Sequence, residues 1–303
     1  MSSAPQGHEV HFGMVESLGK ESSSMENQSK SSRSTIYDSS KHRSLPIEEL
    51  RSVFRYRDLI YQLIRRDIVT RYKRSVLGIL WTMLNPLGTM LILSVVFSQL
   101  FNMRGSYPAY IITNLIAWNF FSQTTTASLN AMLWGSSFFQ KIYLPRTSFV
   151  ISSIGTGLIN TLLALVPLIL IYLVTGAAFH ATMVLFPLAM LPVLAFALGI
   201  GLILSTFVAF FPDVAEMYPI LLTAWMYLTP IIYPEELLTK VLGGWLLRLN
   251  PLFPVIKVFR MVTLDGIIPT FAEWGIAAGI SLGTLLIGWI FFTQKSNSFA
   301  YHV

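Results

Sequence analysis

Residues 183–211 read MVLFPLAMLPVLAFALGIGLILSTFVAFF, a run without Asp, Glu, Lys or Arg that is too long and too clean for the core helix of a water-soluble domain. About 20 apolar residues are enough to cross roughly 30 Å of hydrocarbon as a helix. Working outward, five more segments have the same character: Val76–Phe101, Tyr110–Leu133, Phe149–Val174, Met217–Tyr233 and Trp274–Thr293. The composition agrees, because 53% of the 303 residues are hydrophobic and only 12% are charged, against about 25% charged in ordinary soluble domains. The expected fold class is therefore an all-α integral membrane protein with six transmembrane helices over residues 76–295.

What flanks the apolar runs sets the rest of the organisation. Residues 1–45 are rich in Ser, Lys, Glu and Gln, with no apolar period and no h-region of a cleaved signal, and read as a disordered tail. Over residues 46–75 an amphipathic helix is expected to lie in the membrane surface, because Leu59, Ile60, Leu63, Ile64 and Ile68 share one face. Asp67 and Arg71 fall inside that apolar stripe, spaced i, i+4 with the acid first, which suits a neutralised ion pair or a contact to another subunit.

Basic residues give the orientation. Arg51, Arg55, Arg57, Arg65, Arg66, Arg71, Lys73 and Arg74 precede the first run, Lys141 and Arg146 separate the second from the third, and Lys295 follows the last. With six spans these fall on one side, which the positive-inside rule makes the cytoplasm, together with both termini and residues 296–303. Lys240, Arg248, Lys257 and Arg260 are the exception. They lie in the moderately apolar stretch 238–265, where two short amphipathic segments separated by Asn250, Pro251 and Pro254 fit a re-entrant helical hairpin better than a seventh span.

The chemistry the chain lacks narrows its function. No ionised side chain stands inside a run, as the proton relays of ion-coupled carriers require. Cysteine is absent and the five histidines are scattered, so neither a thiolate centre nor a metal site is expected. No GxxxxGK[ST] phosphate loop occurs, so nucleotide energy would have to come from another polypeptide. The net charge of +6 suits membrane lipid at the basic side rather than nucleic acid.

The segment RRDIVTRYKRSVLGILWTMLNPL, the later KIYLPR, then FPDVAEMYPILLTAWMYLTPIIYP and LNPLFPVIKVFR, in this order from about residue 50 to 292, resemble the membrane (permease) subunit of type-2 ABC exporters that move bacterial polysaccharides such as O-antigen and teichoic acid. The resemblance implies a channel-forming transport subunit, not an enzyme, in the bacterial cytoplasmic membrane. It implies a homodimer with two ATPase subunits, which would hold the ATP and magnesium, and a lipid-linked polysaccharide as substrate. A drug or lipid exporter permease of the same superfamily is the alternative reading, and a membrane-embedded glycosyltransferase a more distant one.

By that resemblance, Phe138, Phe139, Lys141, Ile142, Tyr143, Leu144, Pro145 and Arg146 form the loop that couples to the ATPase, with apolar anchors and charged rims suited to an interface. Arg65, Arg66, Asp67, Arg71, Lys73 and Arg74 form a gate helix at the cytoplasmic side. Trp118, Phe120, Phe121, Trp225, Tyr227 and Tyr233 are candidates for channel lining, since sugar C–H faces stack on aromatic rings, although Trp and Tyr also favour membrane interfaces. Arg248, Lys257 and Arg260 are candidates to meet a carrier diphosphate or lipid phosphates.

Overall fold

The structure, a computed structural model, describes residues 46–73, 76–101, 107–139 and 145–295. The expected tail, residues 1–45, and the C-terminal residues 296–303 lie outside the described residues. Among the described residues every regular element is helical. Two short helices come first, α1 (Pro46–Arg55) and α2 (Arg57–Tyr72), followed by α3 (Leu80–Phe97), α4 (Tyr107–Phe139) and α5 (Thr147–Thr175). A 3-10 turn (Ala181–Leu185) leads into α6 (Phe186–Phe210) and then α7 (Val214–Leu228). Three small helices, α8 (Glu235–Leu242), α9 (Trp245–Leu249) and α10 (Leu252–Arg260), precede a π turn (Met261–Asp265) and the last helix, α11 (Phe271–Lys295).

Four of these helical segments are long and apolar enough to cross a membrane: Leu80–Phe97, Thr147–Thr175, Ala181–Phe210 and Phe271–Lys295. The chain is thus a multi-pass membrane protein. The other two expected spans depart from the pattern for separate reasons. Helix α4 has ample length, but Asn114, Asn119, Ser122, Gln123, Thr124, Thr125, Thr126, Ser128 and Asn130 lower its hydropathy. Helix α7 has only 15 residues, a rise of about 22 Å.

The early stop of α7 corrects the expected boundary at Tyr233. Thr229 precedes Pro230, whose ring disfavours helical geometry in the residue before it, and Thr229 is extended at φ −111° and ψ 132°. The chain then runs non-helically and buried to Ile232. Its freed carbonyls find partners in side chains. Tyr107 Oη donates to the Ile232 carbonyl at 2.7 Å, and the Tyr110 hydroxyl is shared between Tyr233 at 2.7 Å and Pro230 at 3.2 Å. Asn250 completes the set. Its Nδ2 donates to the Leu228 carbonyl and Thr229 Oγ1, while its Oδ1 accepts from Trp225 Nε1 and the Leu252 amide. A single carboxamide therefore ties the end of α7 to the turn between α9 and α10.

Elsewhere the expected 238–265 region is three short helices rather than two, broken at Gly243–Gly244 and again at Asn250. Helix α10 buries Leu252, Val255, Ile256, Val258 and Phe259 and packs on α4, α6 and α11. Helix α2 follows the expected face: Leu63 is buried, and Ile64 Cδ1 occupies the place where a Cβ on Gly155 of α5 would fall.

Helices α6 and α11 make the most extensive pairing in the bundle, and two glycines allow it. A Cβ on Gly288 would lie 2.4 Å from the Gly199 carbonyl oxygen, and one on Gly199 only 2.6 Å from the Thr284 carbonyl carbon. Since lipid tails are as apolar as leucine, close backbone approach through small residues supplies the attraction between such helices.

Gly199→Ala and Gly288→Ala are each expected to cost about 1–3 kcal/mol by forcing the backbones apart. Gly283→Ala, on the same helix with open space around it, should be neutral; thermal unfolding of the detergent-solubilised protein separates the two cases. Asn250→Leu strands a buried indole N–H and a carbonyl, at roughly 1–3 kcal/mol for each. Its expected signature in the same assay is a lowered unfolding temperature with increased proteolytic nicking at residues 229–250.

Candidate functional site

Uncharged polar side chains recur on α4 at positions 119, 122, 123, 126 and 130, a spacing of three and four that gathers them on one stripe. The stripe faces a cleft of about 680 Å³ whose other walls come from α3 and α7. Its lining is Arg71, Trp81, Thr82, Asn85, Ser122, Gln123, Thr126, Ala127, Asn130 and Leu222. A narrower crevice beside it takes in Asn119, Asn160 and Thr161. Asn85 and Gln123 are exposed and Asn130 is half-buried, and none of the three side chains hydrogen-bonds another described residue.

That geometry has an energetic meaning. A carboxamide without partners costs several kcal/mol in hydrocarbon, so a row of them on one helix face calls for water or a polar ligand. Each carboxamide offers both donors and an acceptor, which matches a hydroxyl-rich molecule. Charge counting along the sequence misses this stripe, because Asn, Gln, Ser and Thr do not interrupt a run judged by ionised residues. Their three-and-four spacing is the signal that reveals it.

One end of the cleft is basic. Arg71, from the last turn of α2, reaches its wall. The expected Asp67–Arg71 pair is not formed: Asp67 Oδ1 instead accepts from its neighbour Arg66 Nη2 at 2.9 Å. Arg65 and Lys73 are exposed, whereas Arg74 lies outside the described residues. Of the proposed coupling loop, Phe138 and Phe139 form the last turn of α4, Pro145 is buried and Arg146 is half-buried at the start of α5. Lys141, Ile142, Tyr143 and Leu144 lie outside the described residues. Glu49 of α1, which no sequence signal singles out, is buried and accepts a hydrogen bond from Thr147 Oγ1 at 2.8 Å, at the N-terminus of α5. The helix dipole favours a carboxylate there.

The opposite end of α4 carries a second cavity, of about 510 Å³, lined by Tyr110, Glu235, Glu236, Lys257, Arg260, Asp265 and Glu273 among others. Arg260 is only 8% exposed. Its guanidinium holds Glu235 at 2.8 Å and Asp265 at 3.8 Å, and Lys257 holds Glu273 at 3.8 Å. Burial pushes the Asp265 carboxyl above the usual carboxylate range, with Arg260 pulling the other way. Two of the three cations expected to meet phosphate therefore already face carboxylates. Arg248 lines the adjoining cavity with Glu235, Glu236 and Lys257.

The aromatic candidates are also corrected in part. Phe121 is fully buried, with ring centroids 5.8 Å from Trp118, 5.6 Å from Phe196 and 5.2 Å from Trp225. Phe120 is 2% exposed and reaches only the narrow crevice. Trp118 and Phe121 are thus interior packing, because edge-to-face and tilted rings satisfy one another in a dry core, while Phe120 forms part of the crevice wall. Trp225 spends its N–H on Asn250. Tyr233 is half-buried and donates to the Tyr227 carbonyl, and Tyr227 alone of the six is largely exposed.

By sequence the chain has relatives. The chain is 26% identical over 256 residues to the O-antigen export system permease protein RfbA of Myxococcus xanthus, covering 84% of this chain and 98% of that protein. It is 26% identical over 213 residues to the protein of the same name from Klebsiella pneumoniae, covering 69% and 81%. Against the polysialic acid transport protein KpsM of Escherichia coli it is 28% identical over 243 residues, covering 78% and 93%. The sequence model of the ABC-2 type transporter family matches residues 58–264, a span that takes in α2 to α10 with the whole cleft, and the chain accordingly belongs to that family.

Proposed function

We infer that this chain is the channel-forming subunit of an ATP-driven exporter that carries a lipid-linked polysaccharide across the bacterial cytoplasmic membrane. The observation that carries the reading is the cleft of partnerless carboxamides on α3 and α4. In an apolar bundle it supplies replacement hydrogen bonds for sugar hydroxyls that leave water. The likeness to O-antigen and polysialic acid export proteins supports the same cargo class.

The topology that goes with this reading has six spans: α3, α4, α5, α6 with its 3-10 turn, α7 and α11. Helices α8–α10 dip into the outer leaflet as a re-entrant element, and the basic end with Arg71 faces the cytoplasm. Both termini are cytoplasmic. Two copies of the chain pair through the thinly covered faces of α3 and α7, where Val95, Val96, Ile220 and Leu221 are exposed, and each engages one ATPase subunit. Residues 138–146 are the docking loop, and Thr147 with Glu49 passes its movement to α1 and α5. Adenine nucleotide and magnesium belong to the ATPase partner.

The deciding experiment is surface display of glycan in a strain deleted for this chain, complemented with and without its ATPase. Export that needs both supports the reading, while ATP hydrolysis by the purified chain alone overturns it. Asn85→Leu combined with Gln123→Leu is expected to lower export about tenfold, since two hydrogen bonds of roughly 0.7 kcal/mol each are lost. Protein level should not change, because both side chains are exposed. Tyr143→Asp or Leu144→Asp places a charge among the apolar anchors of the docking loop. Either is expected to abolish co-purification of the ATPase, a loss of about 2 kcal/mol or more if the residue is a hot spot.

A further inference from the structure

The cavity beside the ion-pair cluster, between the short helices α8–α10 and the first turns of α11, measures about 510 Å³, within the roughly 300–1,000 Å³ usual for small-molecule sites. Part of its lining is apolar, from Leu247, Phe253, Pro254, Ile276 and Ile280. The rest is charged or polar: Glu235, Glu236, Arg248 and Lys257, with Thr239 and Gly244 completing the wall. Two of these charges are already matched, since Arg260 holds Glu235 at 2.8 Å and Glu273 holds Lys257 at 3.8 Å. The other two are not. The Glu236 carboxylate and the Arg248 guanidinium are exposed, and neither makes a salt bridge or a side-chain hydrogen bond to another described residue. No salt bridge joins them to each other, so a dipolar group can come between them.

The level of the cavity says what reaches it. Ile276 and Ile280 belong to α11, which is long and apolar enough to cross a membrane, and they stand one and two turns beyond Glu273 in its acidic first turn. The lining therefore runs from the end of a spanning helix into its apolar length, where a bilayer passes from head groups to acyl chains. The neighbouring Trp245 and Leu249 of α9 are 60% and 71% exposed, as side chains that anchor in that interface are. We propose that this cavity binds one zwitterionic phospholipid with a primary-amine head group, its phosphate on Arg248, its ammonium on Glu236 and the start of an acyl chain along Ile276 and Ile280. Charge complementarity selects the class. A guanidinium and a phosphate form charge-assisted hydrogen bonds, and so do an ammonium and a carboxylate. A choline head group carries the charge but no N–H to donate, and an anionic glycerol head group leaves Glu236 without a cation. The site goes beyond the exporter reading and does not depend on it.

The test titrates the full chain, delipidated in mild detergent, with phosphatidylethanolamine, phosphatidylcholine and phosphatidylglycerol of matched acyl chains, and counts bound lipid by native mass spectrometry. One phosphatidylethanolamine per chain, held about tenfold more tightly than either of the others, is the expected result, since one hydrogen bond between charged groups distinguishes them. Glu236→Gln should abolish the preference for ethanolamine over choline while leaving phosphatidylcholine binding unchanged. Arg248→Gln should weaken both zwitterionic lipids alike, because both present the phosphate. Both side chains are exposed, so the unfolding temperature of the lipid-free variants should match that of the parent. Equal occupancy by the three lipids, tighter binding of phosphatidylglycerol, or an ethanolamine preference that survives Glu236→Gln overturns the proposal. Glycan export is not the readout, so the exporter reading stands or falls separately.

Discussion

A polar group inside hydrocarbon must find its partner within the protein, and nearly every irregular feature of this chain follows from that constraint. Helix α7 ends early at Thr229–Pro230, and the exposed carbonyls are met by the hydroxyls of Tyr107 and Tyr110 and by the carboxamide of Asn250. Buried Arg260 is met by Glu235 and Asp265. The threonines and serines of α4 mostly fold back on carbonyls three or four residues earlier, as Thr113, Thr124, Thr125 and Ser128 do. Among the described residues, Asn114 Oδ1, Ser148 Oγ, Thr156 Oγ1 and Ser281 Oγ are buried without a partner at scattered points, whereas the open carboxamides of the cleft gather on one wall.

Helix α4 joins the functional parts. Its 33 residues extend about 50 Å, from the tyrosines that hold the break after α7 to the loop at the basic end. Between them lie two faces of different character. One carries Ile111, Ile112, Ile116 and Phe121 into the core with α6 and α10, and the other turns Ser122, Gln123, Thr126 and Asn130 to the cleft.

How much of this could be read in the sequence depended on the range of the interaction. Local patterns were legible. The uncharged runs located the long helices, the apolar face of α2 was the one that docks, and the Asn-Pro break at 250–251 marked a true discontinuity. Partnerships across the chain were not. Nothing near Arg260 in sequence announces Glu235. Phe121 looked available for sugar because aromatic rings serve cores and ligands alike, and only its packing against Phe196 and Trp225 tells which. The polar stripe of α4 was present all along as a spacing, hidden by a reading that looked only for ionised residues.

The shortness of α7 has a consequence of its own. A helix rising about 22 Å falls some 8 Å short of an average hydrocarbon layer, and a bilayer answers such mismatch by thinning or by yielding depth to protein. After α7 the chain continues as hydrogen-bonded peptide, in the non-helical stretch from Thr229 and the short helices that follow it. In the six-span topology inferred above, the dry barrier beside the cleft, where Leu222 of α7 forms part of the wall, would be about a turn and a half of helix narrower than the surrounding membrane. A hydrated chain passing there has correspondingly fewer sugars to strip of water at any one moment.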